Sequence, residues 1–447
     1  MLTLTFDSNN YPKPARLRAP EFMSTEILQM SEVLTDLVRG IPTGLETSPA
    51  AIATHGLAPQ SGNMPLPVLT MDEPGFETNI ELMMRYCREQ HVQIAPHAKT
   101  PMSPALAQKL IDAGAWGASV ANIQQAAVML QHGIRKLIFA NEVGGTKSGQ
   151  RLGTLLAKYP EAECLVFADS RACLASLIEA GKVCDRPIAV LLELGAGRAG
   201  LRDQAQLDDL LAFAQQSEPF IHVKGIAVYE GSAEADSESE KVEKIKKLLS
   251  FGLASASAIK DRLNLEQVFF TAGGSSYFDL VCDAVHQHGD SRLTTILRSG
   301  AIFFFDHGVY EKALIGACKR NETLASMAAQ QQTGFQPVLR VWAEVLANPE
   351  PGLYICSMGK RDVSHDLDLP RVCGLYREGR TVSTRADRFQ VTQLNDQHAF
   401  IQSDEPMQIG DILEFGISHP CTCLDKWSFI YGIKNGSVVN AYQTYFG

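Results

Sequence analysis

Apolar runs and helix-like segments alternate regularly between residues 65 and 300 of this chain. Short apolar runs rich in β-branched and aromatic residues are typical of buried strands, and the segments between them repeat hydrophobic residues at helical spacing. The predicted strands lie at residues 92–95, 116–120, 136–140, 164–168, 188–194, 223–229, 267–271 and 295–298. The clearest helical segments lie at residues 104–113, 123–132, 171–180, 204–216 and 240–259.

Such βα units predict an α/β fold, and their number fits a (β/α)8 TIM barrel over residues 63–305. The active site of such a barrel lies where the strands end, at their carboxyl side. A doubly wound open sheet produces a similar pattern and is the structural alternative.

The segments on either side of the predicted barrel have a different pattern. Residues 1–62 suggest an N-terminal arm with one helix near residues 24–38. After the barrel, a strand at 301–305 and a weak helical signal at 324–333 lead into a mainly β domain over residues 306–447. Its predicted strands lie at residues 338–346, 352–356, 371–376, 389–394, 399–402 and 412–417.

Composition excludes several classes of partner. The chain of 447 residues has 40 Lys and Arg against 50 Asp and Glu, a net charge of −10, so no basic surface for nucleic acid or an anionic membrane is expected. No apolar run approaches the ~20 residues of a membrane span, and the first residues lack the features of a signal peptide. Ten cysteines, eight of them scattered singly, are too few for a disulfide scaffold, and with these features they predict a cytoplasmic protein that acts on a small molecule.

Lys99 is the first candidate for chemistry. It lies in the sequence Pro96-His97-Ala98-Lys99-Thr100, directly after a predicted strand. A lysine at the mouth of a barrel becomes nucleophilic when desolvation lowers its pKa. A solvated loop lysine is the alternative interpretation.

Further polar groups follow other predicted strands. A glycine-rich turn at residues 195–200 contains Arg198, and Tyr229 offers a ring and a phenol. The sequence Thr-Ala-Gly-Gly-Ser-Ser at 271–276 resembles a phosphate cradle of amides and hydroxyls before a helix. Each of these features is also compatible with ordinary turn chemistry.

The combination of these groups at one barrel face indicates pyridoxal 5′-phosphate, whose aldehyde needs a lysine and whose phosphate needs backbone donors. The chain has no Gly-x-Gly-x-x-Gly fingerprint for a dinucleotide and no phosphate loop for ATP.

A possible metal site lies near the end of the chain. His419 and Cys421 would point to the same side of an extended segment and share one Zn²⁺. A buried histidine beside core cysteines is the alternative. A third ligand would be His398, Asp396 or His97, or the position would be left to water and substrate. The run 352–370 is expected to be solvated surface, with a loop near the site as the alternative.

The motifs together resemble the D-serine dehydratase and D-threonine aldolase family. The resemblance spans residues 65–427, and its motifs include Pro-His-x-Lys-Thr, Gly-x-Gly-Arg-x-Gly, Tyr-Glu-Gly, Ala-Gly-Gly-Ser-Ser, Leu-Arg-Ser-Gly and His-Pro-Cys. It implies a fold-type III pyridoxal phosphate enzyme with an alanine-racemase-like barrel, a β domain, a homodimeric assembly and a metal beside the cofactor.

The resemblance also implies roles for individual residues. Catalysis falls to Lys99 and His97, and Lys99 would bind the cofactor aldehyde. Arg198 would face the pyridine nitrogen, and Tyr229 would contact the cofactor. The phosphate would be held by Gly273, Gly274, Ser275, Ser276 and Gly300, and Zn²⁺ by His419 and Cys421.

Dehydratases of this family resemble the chain in having His-x-Cys, whereas aldolases more typically have His-x-Asp. The expected reaction is therefore β-elimination from a D-3-hydroxy amino acid such as D-serine, giving a 2-oxo acid and ammonia. Lys99 would take the α-proton, and zinc would help the hydroxyl leave. Ala95, Pro101 and Ser232 depart from the family pattern and leave the substrate open.

Three alternatives remain at this point. An aldolase would cleave Cα–Cβ and release glycine and an aldehyde. A racemase would need a second base, for which Tyr229 and His97 are candidates. A non-catalytic pyridoxal phosphate-binding protein would account for Lys99 but would have no use for a metal.

Overall fold

A computed structural model describes residues 33–217, 219–329 and 334–446. Strand β1 (Val68–Asp72) and helix α1 (Glu73–Glu89) lead into the barrel. The barrel strands are β2 (Gln93–Ile94), β3 (Ala118–Val120), β4 (Lys136–Glu142), β5 (Glu163–Ala168), β6 (Ile188–Leu194), β7 (Ile221–Val228), β8 (Val268–Ala272) and β9 (Leu293–Leu297). The helices between them are α2 (Pro104–Asp112), α3 (Ile123–Gln131), α4 (Thr146–Lys158), α5 (Arg171–Cys184), α6 (Gln204–Gln216), α7 (Glu238–Leu263) and α8 (Phe278–His288).

All eight predicted barrel strands are confirmed. They pair in parallel in the order β2-β9-β8-β7-β6-β5-β4-β3. Backbone hydrogen bonds from Ala98 N to Ser119 O (2.8 Å) and from Ser119 N to Pro96 O (2.9 Å) join the two ends of this sheet. The strands therefore close into a barrel, and their carboxyl ends meet at one face.

Apolar side chains fill the interior of the barrel. They form one buried cluster that includes Ala95, Ile138, Phe167, Leu191 and Ile296. A larger cluster lies between the sheet and its surrounding helices. The barrel is therefore a packed core, and its polar chemistry is confined to the carboxyl-end mouth.

Several helices begin directly after the strand ends because a side chain caps them. Asn122, Ser170, Asp203 and Ser237 each accept a hydrogen bond from a backbone amide in the first turn of the following helix. These caps satisfy amides that have no partner within the helix. Because the helices begin so soon after the strands, the connecting loops are short. The residues of these loops therefore have fixed positions at the barrel mouth.

The second domain is mainly β, as the sequence indicates. Two helices, α9 (Val309–Arg320) and α10 (Glu322–Ala329), precede it. Its elements are β10 (Leu339–Glu350), β11 (Leu353–Cys356), β12 (Arg371–Arg377), β13 (Arg380–Ser383), β14 (Phe389–Leu394), β15 (Ala399–Ser403), β16 (Ile412–Gly416), α11 (Pro420–Leu424), β17 (Phe429–Lys434) and β18 (Ser437–Gln443). The sequence missed α9, β13, β17 and β18.

Strand β1 joins the two parts of the molecule. It lies within the span assigned to the barrel, but it pairs antiparallel with β10 and parallel with β17. The sheet order β13-β12-β16-β10-β1-β17-β18 places it inside the second domain. The domain limits predicted from the sequence, 1–62, 63–305 and 306–447, stay predictions. Strand β1 lies within the predicted barrel segment but belongs to the sheet of the second domain.

One predicted element, the strand at residues 301–305, is wrong. Residues Ala301–Phe303 form a 3-10 turn with a Phe304 N to Ala301 O bond of 3.1 Å, and no strand of the described chain pairs with this segment. The helix predicted near residues 24–38 lies mostly outside the described residues. In its described part, Leu34 forms a β-bridge with Thr47 instead.

Candidate active site

Lys99 lies in the loop that follows β2 at the barrel mouth, and its side chain is exposed. The next residue, Thr100, is 1% exposed, and its Oγ1 lies 3.5 Å from the Sγ of Cys421. The second domain therefore reaches the barrel mouth beside the candidate lysine. The lysine loop and the candidate metal pair are therefore neighbours, although they are far apart in the sequence.

His97 is placed behind this loop. Burial, followed by the charges of Lys99 and Arg298, lowers the pKa of His97 well below its usual value, so its ring is neutral. Its Nδ1 is buried and has no hydrogen-bond partner in the described part of the chain. The backbone of His97 packs tightly on Gly300, where an added Cβ would lie 2.6 Å from the His97 carbonyl oxygen. Glycine is therefore required at position 300.

The two loops predicted to form a phosphate cradle lie side by side at the ends of β8 and β9. Ser299 Oγ donates to Gly273 O at 3.0 Å, and Ile302 N donates to Ser275 Oγ at 3.3 Å, so the two loops touch. Within residues 33–217, 219–329 and 334–446, the amides of Ser275, Ser276 and Gly300 have no acceptor. Unpaired amides gathered at one corner favour an anion.

Glu230 occupies the other two predicted cradle donors. It is fully buried, and its carboxylate accepts hydrogen bonds from Gly273 N (3.1 Å) and Gly274 N (2.6 Å). The two hydrogen bonds to Glu230 thus fix the conformation of the Gly273–Gly274 loop. The amides left for a phosphate are those of Ser275, Ser276 and Gly300.

Two arginines lie at the mouth, and the sequence singled out only one of them. Arg198 is exposed, and its guanidinium lies 5.0 Å from the centre of the Tyr229 ring. Arg298 is 5% exposed and donates to Thr271 Oγ1 (2.9 Å) and to Val228 O (2.8 Å). The side chain of Arg298 is therefore held more rigidly than that of Arg198. In the sequence, the motif Leu-Arg-Ser-Gly was the signal that could have identified Arg298 as a site residue.

A pair of carboxyl groups lies near these arginines. Glu193, at the end of β6, is 3% exposed. Burial, together with a hydrogen bond to Glu142 and the charge of Glu142, raises the pKa of Glu193 to about 9. The pair therefore retains a proton at neutral pH. The sequence named Glu193 only as the start of a glycine-rich turn.

His419 and Cys421 lie together, but not as the sequence predicted. The segment is not extended: Pro420–Leu424 form the short helix α11, and His419 is its N-cap. Proline at the first helical position favours this turn. His419 Nδ1 lies 2.7 Å from Asp366 Oδ2, and Thr422 Oγ1 donates to Asp366 Oδ1 at 2.8 Å. Asp366 is exposed, and its carboxylate also orients the histidine, so this part of the run 352–370 lies beside the candidate metal pair.

The charges of this pair suit a cation. Burial raises the pKa of Cys421, but the hydrogen bonds from His419 and Thr100 and the charge of Lys99 lower it below its usual value. The hydrogen bond with Cys421, and then that with Asp366, raise the pKa of His419 to about 9 against the effect of burial. An imidazolium beside a thiolate is a site where a metal ion takes the place of a proton. The donor set therefore fits zinc.

Two of the three predicted third ligands, Asp396 and His398, lie on the surface of the second domain. Asp396 forms an exposed ion pair with Arg361, and His398 is exposed. No group of three or more His, Cys, Asp or Glu side chains suited to a metal occurs in the part of the chain that the structure describes. Two protein ligands leave positions open for water or substrate, as catalytic zinc requires.

Tyr310 closes the site from the side of α9. Asp306 Oδ1 accepts the amides of Gly308 and Tyr310, both at 2.9 Å, and so fixes the start of this helix. The ring centres of Tyr310 and His419 are 6.3 Å apart. Burial and the neighbouring Cys421 raise the pKa of Tyr310 above its usual value, so its phenol keeps its proton. The sequence gave no signal for this residue.

A cleft of about 860 Å³ opens beside the cradle. Its lining includes Tyr229, Ser275, Ser276 and Tyr310. This volume accommodates a cofactor or a substrate of small-molecule size. The Ser275–Ser276 loop and the two tyrosines thus border one open space.

The fold and this mouth define the class of alanine-racemase-like barrel proteins with a second β domain. The chain belongs to the family of the alanine racemase N-terminal domain, whose model matches residues 72–306, more than half of the chain. Residues 338–433 match the putative serine dehydratase domain. These matches confirm the resemblance to the D-serine dehydratase and D-threonine aldolase group of fold-type III pyridoxal phosphate enzymes.

Individual relatives cover almost the whole of the described fold. A D-threonine aldolase of Arthrobacter sp. is 24% identical over 385 residues, which cover 84% of this chain and 91% of the relative. The crystal structure of D-threonine aldolase from Filomicrobium marinum has a TM-score of 0.68 at 20% identity, covering 86% of this chain and 95% of that one. D-threo-3-hydroxyaspartate dehydratase from Delftia sp. HT23 has a TM-score of 0.66 at 20% identity, covering 87% and 99%.

Proposed function

We propose that this protein is a pyridoxal 5′-phosphate- and zinc-dependent dehydratase of D-3-hydroxy amino acids. It would convert a substrate such as D-serine by β-elimination into a 2-oxo acid and ammonia. The observation that carries this proposal is the contact between Thr100 and Cys421, which brings the His-x-Cys pair to the residue next to Lys99.

The residues fit the cofactor. Lys99 would bind its aldehyde, and the free amides of Ser275, Ser276 and Gly300 would bind its phosphate. Arg198 stays the predicted partner of the pyridine nitrogen. When bound, the cofactor supplies an electron sink for the bonds at Cα. The exposed amine of Lys99 at the mouth would take up the α-proton and hold it.

The residues also fit the metal. His419 Nδ1 is held by Asp366, so Nε2 is the nitrogen available to a zinc ion. Cys421 offers a thiolate. When bound, the ion supplies Lewis acidity that makes a hydroxyl a better leaving group. A D-threo-3-hydroxyaspartate dehydratase supports a metal at a cysteine, because one solved form of it with a cysteine replaced by alanine is metal-free.

The test is a product assay with the cofactor-loaded protein, D-serine as substrate and L-serine as its control. We expect pyruvate and ammonia from D-serine alone, with both lost after a zinc chelator and restored by added zinc. Turnover that survives complete removal of zinc would contradict the proposed role of the metal pair, and equal turnover of L-serine would contradict the substrate class.

The second candidate is cleavage of Cα–Cβ to glycine and an aldehyde. The D-threonine aldolase from Arthrobacter sp. favours it, since this relative covers most of the chain. Both reactions use the same cofactor and metal positions. Only the products distinguish them.

Assembly and location are proposals as well. A homodimer in the cytoplasm remains the expectation for this family type. In the described residues, no helix is long and apolar enough to cross a membrane.

A further inference from the structure

Thr100 connects the two chemical halves of the site. Its hydroxyl forms one hydrogen bond among the described residues, the contact of 3.5 Å with Cys421 Sγ, across 321 positions of sequence. The residue is 1% exposed, so water does not compete for this hydroxyl. A cysteine that binds a metal ion has lost its thiol proton, so in the metal-bound site the Thr100 hydroxyl is the donor of this contact.

The backbone makes this contact rigid. Thr100 follows Lys99, and the preceding loop is fixed by the bond from Ala98 N to Ser119 O at 2.8 Å. On the other side, Cys421 lies in the first turn of α11. A hydrogen bond between these two segments therefore sets the distance between the lysine loop and the metal pair.

We propose that Thr100 is a positioning residue that holds the Cys421 sulfur by hydrogen-bond donation and tunes its donor strength towards the metal ion. The inference rests on the proposed metal site and adds to it a residue that is not a ligand. A donor on a metal-binding thiolate withdraws electron density from the sulfur, which leaves the ion a stronger Lewis acid. Thr100 would thus assist departure of the substrate hydroxyl without touching it.

The test compares Thr100→Val, which keeps the shape and removes the hydroxyl, with Thr100→Ser, which restores the hydroxyl. Thr295→Val is the matched control, because Thr295 is 4% exposed and its hydroxyl has no partner in the described chain. Each protein is loaded with Co²⁺ in place of zinc. The readout is the absorbance band for charge transfer from sulfur to cobalt.

We expect this band to move to longer wavelength in Thr100→Val, because a sulfur without its hydrogen bond gives up charge more easily. Thr100→Ser and Thr295→Val should keep the wild-type band. With zinc, kcat of Thr100→Val should fall by about tenfold at little change in KM.

An unshifted band in folded, cobalt-loaded Thr100→Val would overturn the role of Thr100 and leave the metal site standing. A wild-type protein that shows no sulfur-to-cobalt band would overturn the proposed metal site itself, and the role of Thr100 with it. Circular dichroism of each variant confirms that the fold is kept.

Discussion

The Nδ1 atom of His419 lies 2.7 Å from Oδ2 of Asp366, although the two residues are 53 positions apart. This contact orients the ring and leaves its other nitrogen for a metal. The side-chain hydroxyl of Thr422 supports the same carboxylate, so the histidine is held from two directions.

Replacement of Asp366 by Asn should therefore weaken zinc binding by about 10- to 100-fold, because the histidine loses the charge that orients it and makes it more basic. Competition with a chromophoric chelator measures the affinity. Asp368→Asn is the matched control, since Asp368 lies in the same loop and pairs with Lys312 at the surface. Equal zinc affinities for the two variants would contradict the role of Asp366.

Lys99→Ala should abolish the visible absorbance of lysine-bound pyridoxal phosphate and lower turnover by about 10²- to 10⁴-fold. The exposed Lys147 provides the control variant Lys147→Ala, which should keep both signals. If Lys99→Ala retained the absorbance of the wild-type protein, another lysine would hold the cofactor.

Gly300→Ala should lower the free energy of unfolding by about 1–3 kcal/mol, because its Cβ would lie 2.6 Å from His97 O and 2.7 Å from His97 N. The distorted loop should also bind the cofactor more weakly. Chemical denaturation and cofactor titration measure the two effects. Gly144→Ala, where a Cβ meets nothing within 4 Å, should change neither.

Glu193 makes stability depend on pH. Its pKa in the folded protein is about 9 against 4.5 for an ordinary glutamate, so the folded state keeps a proton that the unfolded chain releases. The free energy of unfolding therefore falls as pH rises between these values. In Glu193→Gln the free energy of unfolding should no longer fall with pH for this reason. Relative to the wild type, the free energy of unfolding of the variant should therefore rise by at most about 1.4 kcal/mol per pH unit.

Urea denaturation at about pH 6 and about pH 8 checks this prediction. The exposed Glu266 gives the control variant Glu266→Gln, whose stability should follow the wild type at both values. A difference between Glu193→Gln and wild type that stays constant with pH would show that Glu193 is ionised in the folded protein.

The barrel strands could be predicted because their signals are local. Each is a short apolar run bounded by turn residues, as in 188–194 and 223–229, and the helices between them carry their own spacing and caps. Strands β17 and β18 lack such a signal, because glycine and polar residues interrupt them. Strand β1 has the signal, but its partners β10 and β17 are distant in sequence, so its sheet was not predictable.

The candidate site could be predicted only in its local motifs. Lys99, the cradle and His419 with Cys421 are each short patterns with a chemical interpretation. The contacts of Asp366 with His419, Thr100 with Cys421 and Glu230 with Gly274 depend on loops brought together by the fold. The raised pKa of Glu193 results mainly from burial, which could not be predicted from the sequence.

D-threonine provides the most direct single test, because one substrate can undergo either reaction. Elimination of its hydroxyl gives 2-oxobutyrate and ammonia, whereas cleavage of Cα–Cβ gives glycine and acetaldehyde. The measurement is the ratio of ammonia to glycine released by the protein loaded with pyridoxal phosphate and zinc. We predict ammonia with an equal amount of 2-oxobutyrate and little glycine. Glycine with an equal amount of acetaldehyde would contradict the dehydratase and establish the aldolase.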